Sequence, residues 1–206
     1  MKSRPATWVW MSAAVGAALC LAAVAIAVRG ADQRGVNGAL FVTGRLNFLL
    51  FWLAYTGGAL ASLFGDIFEP LRRRTRDFGL AFAAALLVHL GLVAWLCAIG
   101  AAPDRSVFVF FGIAVVFVYL IALFSVRRLQ LALGVRGWWL LRTIGLNYVA
   151  YAFAVDFLSN PLGGGLKHVV TYLPFAVLAV AGPGLRLAAF ARRIGAAWRG
   201  SAYRPG

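Results

Sequence analysis

Four ionisable side chains lie within long apolar segments, where each could do chemistry: Arg45, His89, Arg142 and Asp156. Ionisable groups are costly in hydrocarbon, so each is a candidate functional residue. His89 lies near the middle of the segment 78–99. A neutral imidazole there can bind a metal or heme iron, relay protons, or simply pack by hydrogen bonding to a neighbouring helix.

Arg142 and Asp156 belong to one segment, and their spacing limits what they can do together. Fourteen residues of helix place them on the same face but about 21 Å apart, so they cannot pair with each other. Arg142 lies near one end of its helix and can extend its guanidinium group to the membrane surface. Asp156 lies near the other end, where Arg45 is a hypothetical ion-pair partner.

The segments that hold these residues are typical of membrane spans. Apolar residues make up 63% of the 206 residues and charged residues only 13%, too few to cover a soluble domain. A bilayer core of about 30 Å needs about 20 apolar helical residues, and the runs do not alternate as barrel strands do. We predict an all-α bundle of six transmembrane helices in a single domain, at about 8–28, 41–64, 78–99, 107–126, 138–158 and 168–181.

The basic residues are distributed unevenly between the two sides of this predicted bundle. Fourteen lie on the side of both termini, whereas four lie on the other side: Arg29, Arg34, Arg105 and Lys167. This bias predicts a multi-pass protein of the cell inner membrane with both termini in the cytoplasm. Because the basic residues fill short gaps between apolar runs, the net charge of +14 does not indicate nucleic-acid binding.

The two ends of the chain carry further patterns. Lys2 and Arg4 before the first run resemble the start of a signal peptide, but the run exceeds the usual length of about 7–15 residues, which favours an uncleaved helix. Near the other end, Gly182-Pro183-Gly184 predicts a kink or the end of the sixth helix. The segment 185–199 then segregates apolar and arginine residues, which predicts a cationic amphipathic helix on the inner leaflet, with partner docking as the alternative.

Motifs of soluble enzymes are missing from the sequence. It has no Gly-x-Ser-x-Gly segment and no Gly-rich phosphate loop, so we predict no catalytic residue and no flavin or nucleotide site. Cys20 and Cys97 each lie inside an apolar run without metal-type spacing. We therefore predict no metal site built from cysteines and interpret both as small buried apolar residues.

Several motifs resemble the ferric reductase-like transmembrane family, which includes NADPH oxidases and short bacterial heme-binding subunits. Thr43-Gly44-Arg45 opens a long helix, and Gly79 precedes His89 by ten residues, as in the short bacterial members. Pro-Leu-Arg-Arg-Arg at 70–74 and Trp-Trp-Leu-Leu at 138–141 also match the pattern. The resemblance covers about residues 43–158.

This resemblance implies a cytochrome-type core of helices two to five with heme b bound through His89. Electrons would pass from a partner redox protein or membrane subunit to an outer acceptor. However, the family's two fifth-helix histidines correspond to Arg142 and to a position near Asp156. His168 is a weaker second ligand, displaced from His89 by about 15 Å along the membrane normal.

Two functions from different classes follow from these residues. The first is an electron-transfer subunit, an oxidoreductase component with a reduced or degenerate heme site. The alternative is a heme-free structural or interaction subunit of a membrane complex, with Arg142 and Asp156 as packing or partner contacts. A small transporter is a third option that few polar residues support.

Overall fold

The structure, a computed structural model, describes residues 7–159, 161–162 and 165–202. Within these residues it contains six long helices and no strand, which confirms the predicted all-α bundle. The helices are α1 (Thr7–Arg29), α2 (Gln33–Phe64), α3 (Thr75–Ala98), α4 (Arg105–Phe124), α5 (Arg127–Leu158) and α6 (Leu166–Ala202). A 3₁₀ turn, Gly65–Phe68, and a single helical turn, Glu69–Arg72, connect α2 to α3.

Five of the six helices in the described ranges are long and apolar enough to cross a bilayer, which indicates a multi-pass membrane protein in a lipid environment. The exception is α5, whose apolar part carries Arg142, Asn147 and Asp156. The predicted crossing at 138–158 is therefore helical but stays a prediction as a membrane span.

α2 begins at Gln33, well before the predicted start at residue 41. Asp32 caps the helix, since its carboxylate accepts hydrogen bonds from the backbone N–H groups of Arg34 and Gly35, each at 3.1 Å. Gly30, with φ of 96°, provides the left-handed residue that reverses the chain after α1. The cap extends α2 beyond its apolar segment, so hydropathy alone placed its start too late.

α5 also begins earlier than predicted, at Arg127 rather than residue 138. Its helical geometry is interrupted at Gly134, where φ is 66° and ψ is 171°. The helix therefore consists of a short first segment and a long second segment that meet at one glycine. A residue with a side chain rarely adopts this backbone conformation.

Of the two outcomes predicted for Gly182-Pro183-Gly184, the end of the sixth helix is wrong, because α6 continues through Pro174 and Pro183 to Ala202, and a kink stays a prediction. A proline removes only one helical hydrogen bond, and contacts with α2 hold the helix on both sides of Pro183. Before it, the Trp52 indole N–H donates to the carbonyl of Leu178 at 2.8 Å. After it, Arg192 donates to the carbonyls of Ser62 and Leu63, each at 2.9 Å.

The amphipathic character predicted for 185–199 is only partly described. Leu187 and Phe190 are exposed, as are Arg192 and Arg193. The side chains of Trp198 and Arg199, like the whole of Lys2 and Arg4, lie outside the described residues. Binding of this segment to the inner leaflet therefore stays a prediction.

α2 is the central helix of the bundle and packs against α1, α3 and α6. Its contacts with α1 and α3 involve small residues such as Ala14, Ala18 and Ala85, which let the backbones approach closely. On another face, Phe48 is 1% exposed and contacts aromatic rings of α5 and α6. α2 therefore connects α1 and α3 on one face with α6 on another.

Candidate functional site

His89 hydrogen bonds to α2 through one ring nitrogen. Its Nδ1 lies 2.9 Å from Thr43 Oγ1, and the same hydroxyl oxygen lies 2.8 Å from the carbonyl oxygen of Ala39. A carbonyl only accepts, so the single hydroxyl proton of Thr43 points to Ala39. His89 Nδ1 must then carry a proton and donate it to Thr43.

This tautomer leaves His89 Nε2 without a proton. In a neutral imidazole the nitrogen that carries no hydrogen has a free lone pair, and that lone pair is the one that binds metals. Nε2 makes no hydrogen bond with any residue that the structure describes. His89 thus has a free lone pair on Nε2 that could bind a metal, while its Nδ1 joins α3 to α2 through Thr43.

Asn47 lies one turn along α2 from Thr43, and its side chain has no hydrogen-bond partner among the described residues. It is 2% exposed, and neither its Nδ2 nor its Oδ1 makes a hydrogen bond within the described residues. A buried amide without partners costs about 1–3 kcal/mol. The sequence could have indicated this polar pair, because Thr43 and Asn47 are four residues apart on an apolar helix and therefore lie on one face.

We expect Asn47→Leu to raise the free energy of unfolding by about 1 kcal/mol, because it replaces an unsatisfied amide with an apolar group of similar size. Thermal unfolding in detergent measures the effect. Asn37→Leu is the matched control, since Asn37 is exposed on the same helix. A large fall in melting temperature specific to Asn47→Leu would show that the amide binds something in the native protein.

Arg45 lies on the opposite face of α2, enclosed by aromatic rings. Its Cζ is 3.2 Å from the centre of the Phe41 ring and 4.7 Å from that of Tyr172, distances at which a cation is attracted to the ring face. Its guanidinium group donates to the carbonyls of Phe41 at 3.1 Å and Thr171 at 3.4 Å. Arg45 therefore links α2 to α6.

The hypothetical pair between Arg45 and Asp156 is wrong as a direct ion pair. The two lie near enough to attract each other, but no nitrogen–oxygen distance between these described residues is within 4.0 Å. The positive charge of Arg45 is instead stabilised by the carbonyl oxygens and aromatic rings around it. Asp156 is exposed on α5.

His168 lies near Arg45, not near His89. Its ring stacks on Tyr172 with centroids 4.2 Å apart, and Tyr172 in turn contacts Phe41 of α2. Phe41 is two residues from Thr43, which is about 200° around a helix. α2 therefore lies between the two histidines.

Arg142 lies at the end of the bundle where α3 begins. There it lines a cavity of about 300 Å³ between α2, α3, α4 and α5. The polar part of the lining consists of Thr75, Arg76, Ser125, Gln130, Trp138 and Arg142. The remaining lining is apolar, and His89 does not contribute to it.

These positions do not fit a heme with two imidazole ligands. Such a heme needs one histidine on each side of the iron, and α2 separates the only two histidines of the sequence. The cavity beside Arg142 offers no histidine, cysteine, methionine or tyrosine as an iron ligand. No group of three metal-ligating side chains occurs in the described part of the chain.

Two further hydrogen bonds that the sequence patterns did not indicate join α2 to its neighbours. The Tyr55 hydroxyl donates to Asn147 Oδ1 of α5 at 2.7 Å. The Trp52 indole N–H donates to the Leu178 carbonyl of α6. Neither pair has a sequence spacing that would reveal it, because each joins residues about 90 or more positions apart.

No protein-family model, curated protein or solved structure matches this chain. Function is therefore inferred from the geometry of these residues.

Proposed function

We propose that this chain is a heme-free structural or interaction subunit of a membrane complex, built on a core that resembles the ferric reductase-like family. In this proposal the chain lies in the cell inner membrane with both termini in the cytoplasm. The uneven distribution of lysine and arginine supports that orientation.

The observation that carries the proposal is the position of α2 between the two histidines. His89 faces α2 at Thr43, whereas His168 stacks on Tyr172 at the other face. A heme with two imidazole ligands would require α2 to leave its central position. Arg142 and Asp156, at the other positions where ligands would be expected, are not imidazoles.

The intramembrane polar groups support a structural role, since they join helices to one another. Thr43 and His89 join α2 to α3, Tyr55 and Asn147 join α2 to α5, and Trp52 joins α2 to α6. Hydrogen bonds between transmembrane helices contribute about 0.6 kcal/mol each on average. Together they fix the positions of the helices around α2.

The test is the visible spectrum of the protein purified in mild detergent from heme-replete cells. We expect a folded protein without a Soret band and without heme in a pyridine hemochrome assay. We also expect it to leave its native membrane as an assembly larger than the chain alone. A stoichiometric Soret band, or a chain that leaves the membrane without any partner, would contradict the proposal.

A second candidate, an electron-transfer subunit with one heme, has one observation in its favour. Protonation of His89 at Nδ1 leaves Nε2 with the lone pair that an axial ligand needs. Under this alternative the Soret band would be present in the wild type, absent in His89→Ala and unchanged in His168→Ala. The two histidine variants therefore separate the candidates.

A further inference from the structure

Two arginines that nothing in the described structure neutralises line the cavity between α2, α3, α4 and α5. Arg76 and Arg142 both line it, and neither forms a hydrogen bond or ion pair with another described residue. No acidic residue is among the lining residues. Arg186 of α6 adds a third positive charge nearby, close enough to repel Arg142.

In the proposed orientation, these charges lie where a membrane protein meets lipid headgroups. The cavity lies at the end of the bundle where α3 begins and α4 ends, which the arginine distribution places at the cytoplasmic surface. Trp138, with its apolar ring and polar N–H, is typical of this interface. Anionic lipids of the cytoplasmic leaflet attract basic residues that lie near the membrane surface.

The other part of the cavity is apolar. Phe51, Phe82, Val118, Leu146 and Val149 contribute to its lining from four different helices. A small inorganic anion would leave this surface unused, whereas an apolar tail would cover it. A volume of about 300 Å³ accommodates a small headgroup and the first part of a tail, at the lower end of the usual range for ligand pockets.

We propose that this cavity binds an anionic amphiphile, with its phosphate or carboxylate head between Arg76 and Arg142 and its apolar end against Phe82 and Val149. Arginine suits this role because its planar fork of N–H donors matches phosphate and carboxylate oxygens. The inference goes beyond the proposed function: it rests on the orientation proposed there but not on the absence of heme, because His89 is not part of the cavity.

Binding is measured by the rise in melting temperature and by isothermal titration, with purified protein in a neutral detergent. The probes are dioctanoyl phosphatidylglycerol, dioctanoyl phosphatidylcholine with the same tails and no net charge, and inorganic phosphate alone. We expect saturable binding of phosphatidylglycerol, and at least tenfold weaker binding of the other two. Equal affinity for phosphatidylcholine would overturn the charge argument, and equal affinity for phosphate would overturn the need for a tail.

Arginine variants locate the binding site. We expect Arg142→Gln and Arg76→Gln each to weaken phosphatidylglycerol binding about tenfold, without a change in melting temperature when lipid is absent. Arg193→Gln is the matched control, since Arg193 is an exposed arginine on α6 outside the cavity lining. If all three variants weaken binding equally, the lipid is attracted by net charge alone and the proposed site is wrong.

Discussion

Gly35→Ala should prevent α1 and α2 from packing as they do in the wild type, with a loss of about 3 kcal/mol in the free energy of unfolding. A Cβ atom at Gly35 would lie 1.6 Å from the carbonyl oxygen of Gly30. This oxygen belongs to the backbone of the tight connection between the two helices, so no side-chain rotation can relieve the clash. The whole connection would have to move.

The measurement is the yield and melting temperature of the variant in detergent, with size-exclusion chromatography to detect aggregation. Gly58→Ala is the matched control, because Gly58 lies on the same helix and an added Cβ would contact nothing within 4 Å. There we expect a gain of up to about 1 kcal/mol, since alanine favours a helix over glycine. A Gly35→Ala variant as stable as the wild type would show that α2 does not begin at this connection.

Phe48→Ala should produce the second large loss of stability, about 2 kcal/mol or more. Its ring contacts Phe157 at a centroid distance of 4.8 Å, Phe153 at 5.2 Å and Phe175 at 5.9 Å. These rings belong to α5 and α6, so Phe48 is the point at which three helices meet. Lipid tails are as apolar as the ring itself. The loss of stability therefore comes mainly from the void that the substitution leaves and from the lost packing contacts.

Leu49→Ala is the control for this variant, since Leu49 is on the same helix but 40% exposed. Thermal unfolding in detergent should show a large decrease for Phe48→Ala and little change for Leu49→Ala. If both substitutions had the same small effect, α5 and α6 would not pack on this face of α2. The comparison therefore also tests the central position of α2 in the bundle.

The sequence predicted the apolar helices well, because their length follows from the thickness of a bilayer. The predicted spans 8–28, 78–99 and 107–126 differ from α1, α3 and α4 by three residues or fewer at each end. The larger errors concern helical extensions outside the apolar runs. The early start of α2 is marked in the sequence by Asp32, which caps the helix. The early start of α5 is obscured by Gly134, which interrupts the helical pattern.

The environment of the ionisable residues was far less predictable. Composition identified His89, Arg45 and Arg142 as costly in hydrocarbon, but nothing in the spacing connected His89 with Thr43 on another helix. Arg45 is held by aromatic rings of α2 and α6, and no charge pattern predicts such an enclosure. Contacts between distant helices depend on how each helix rotates about its axis, which hydropathy does not determine.

Gly134 gives the proposed lipid cavity an unusual wall. Gln130 lies before this glycine and Trp138 lies after it, and both line the cavity. That wall therefore consists of two helical segments joined at Gly134, so the width of the cavity depends on the φ and ψ angles of this one residue. A bound molecule that contacts both segments would fix the angle between them.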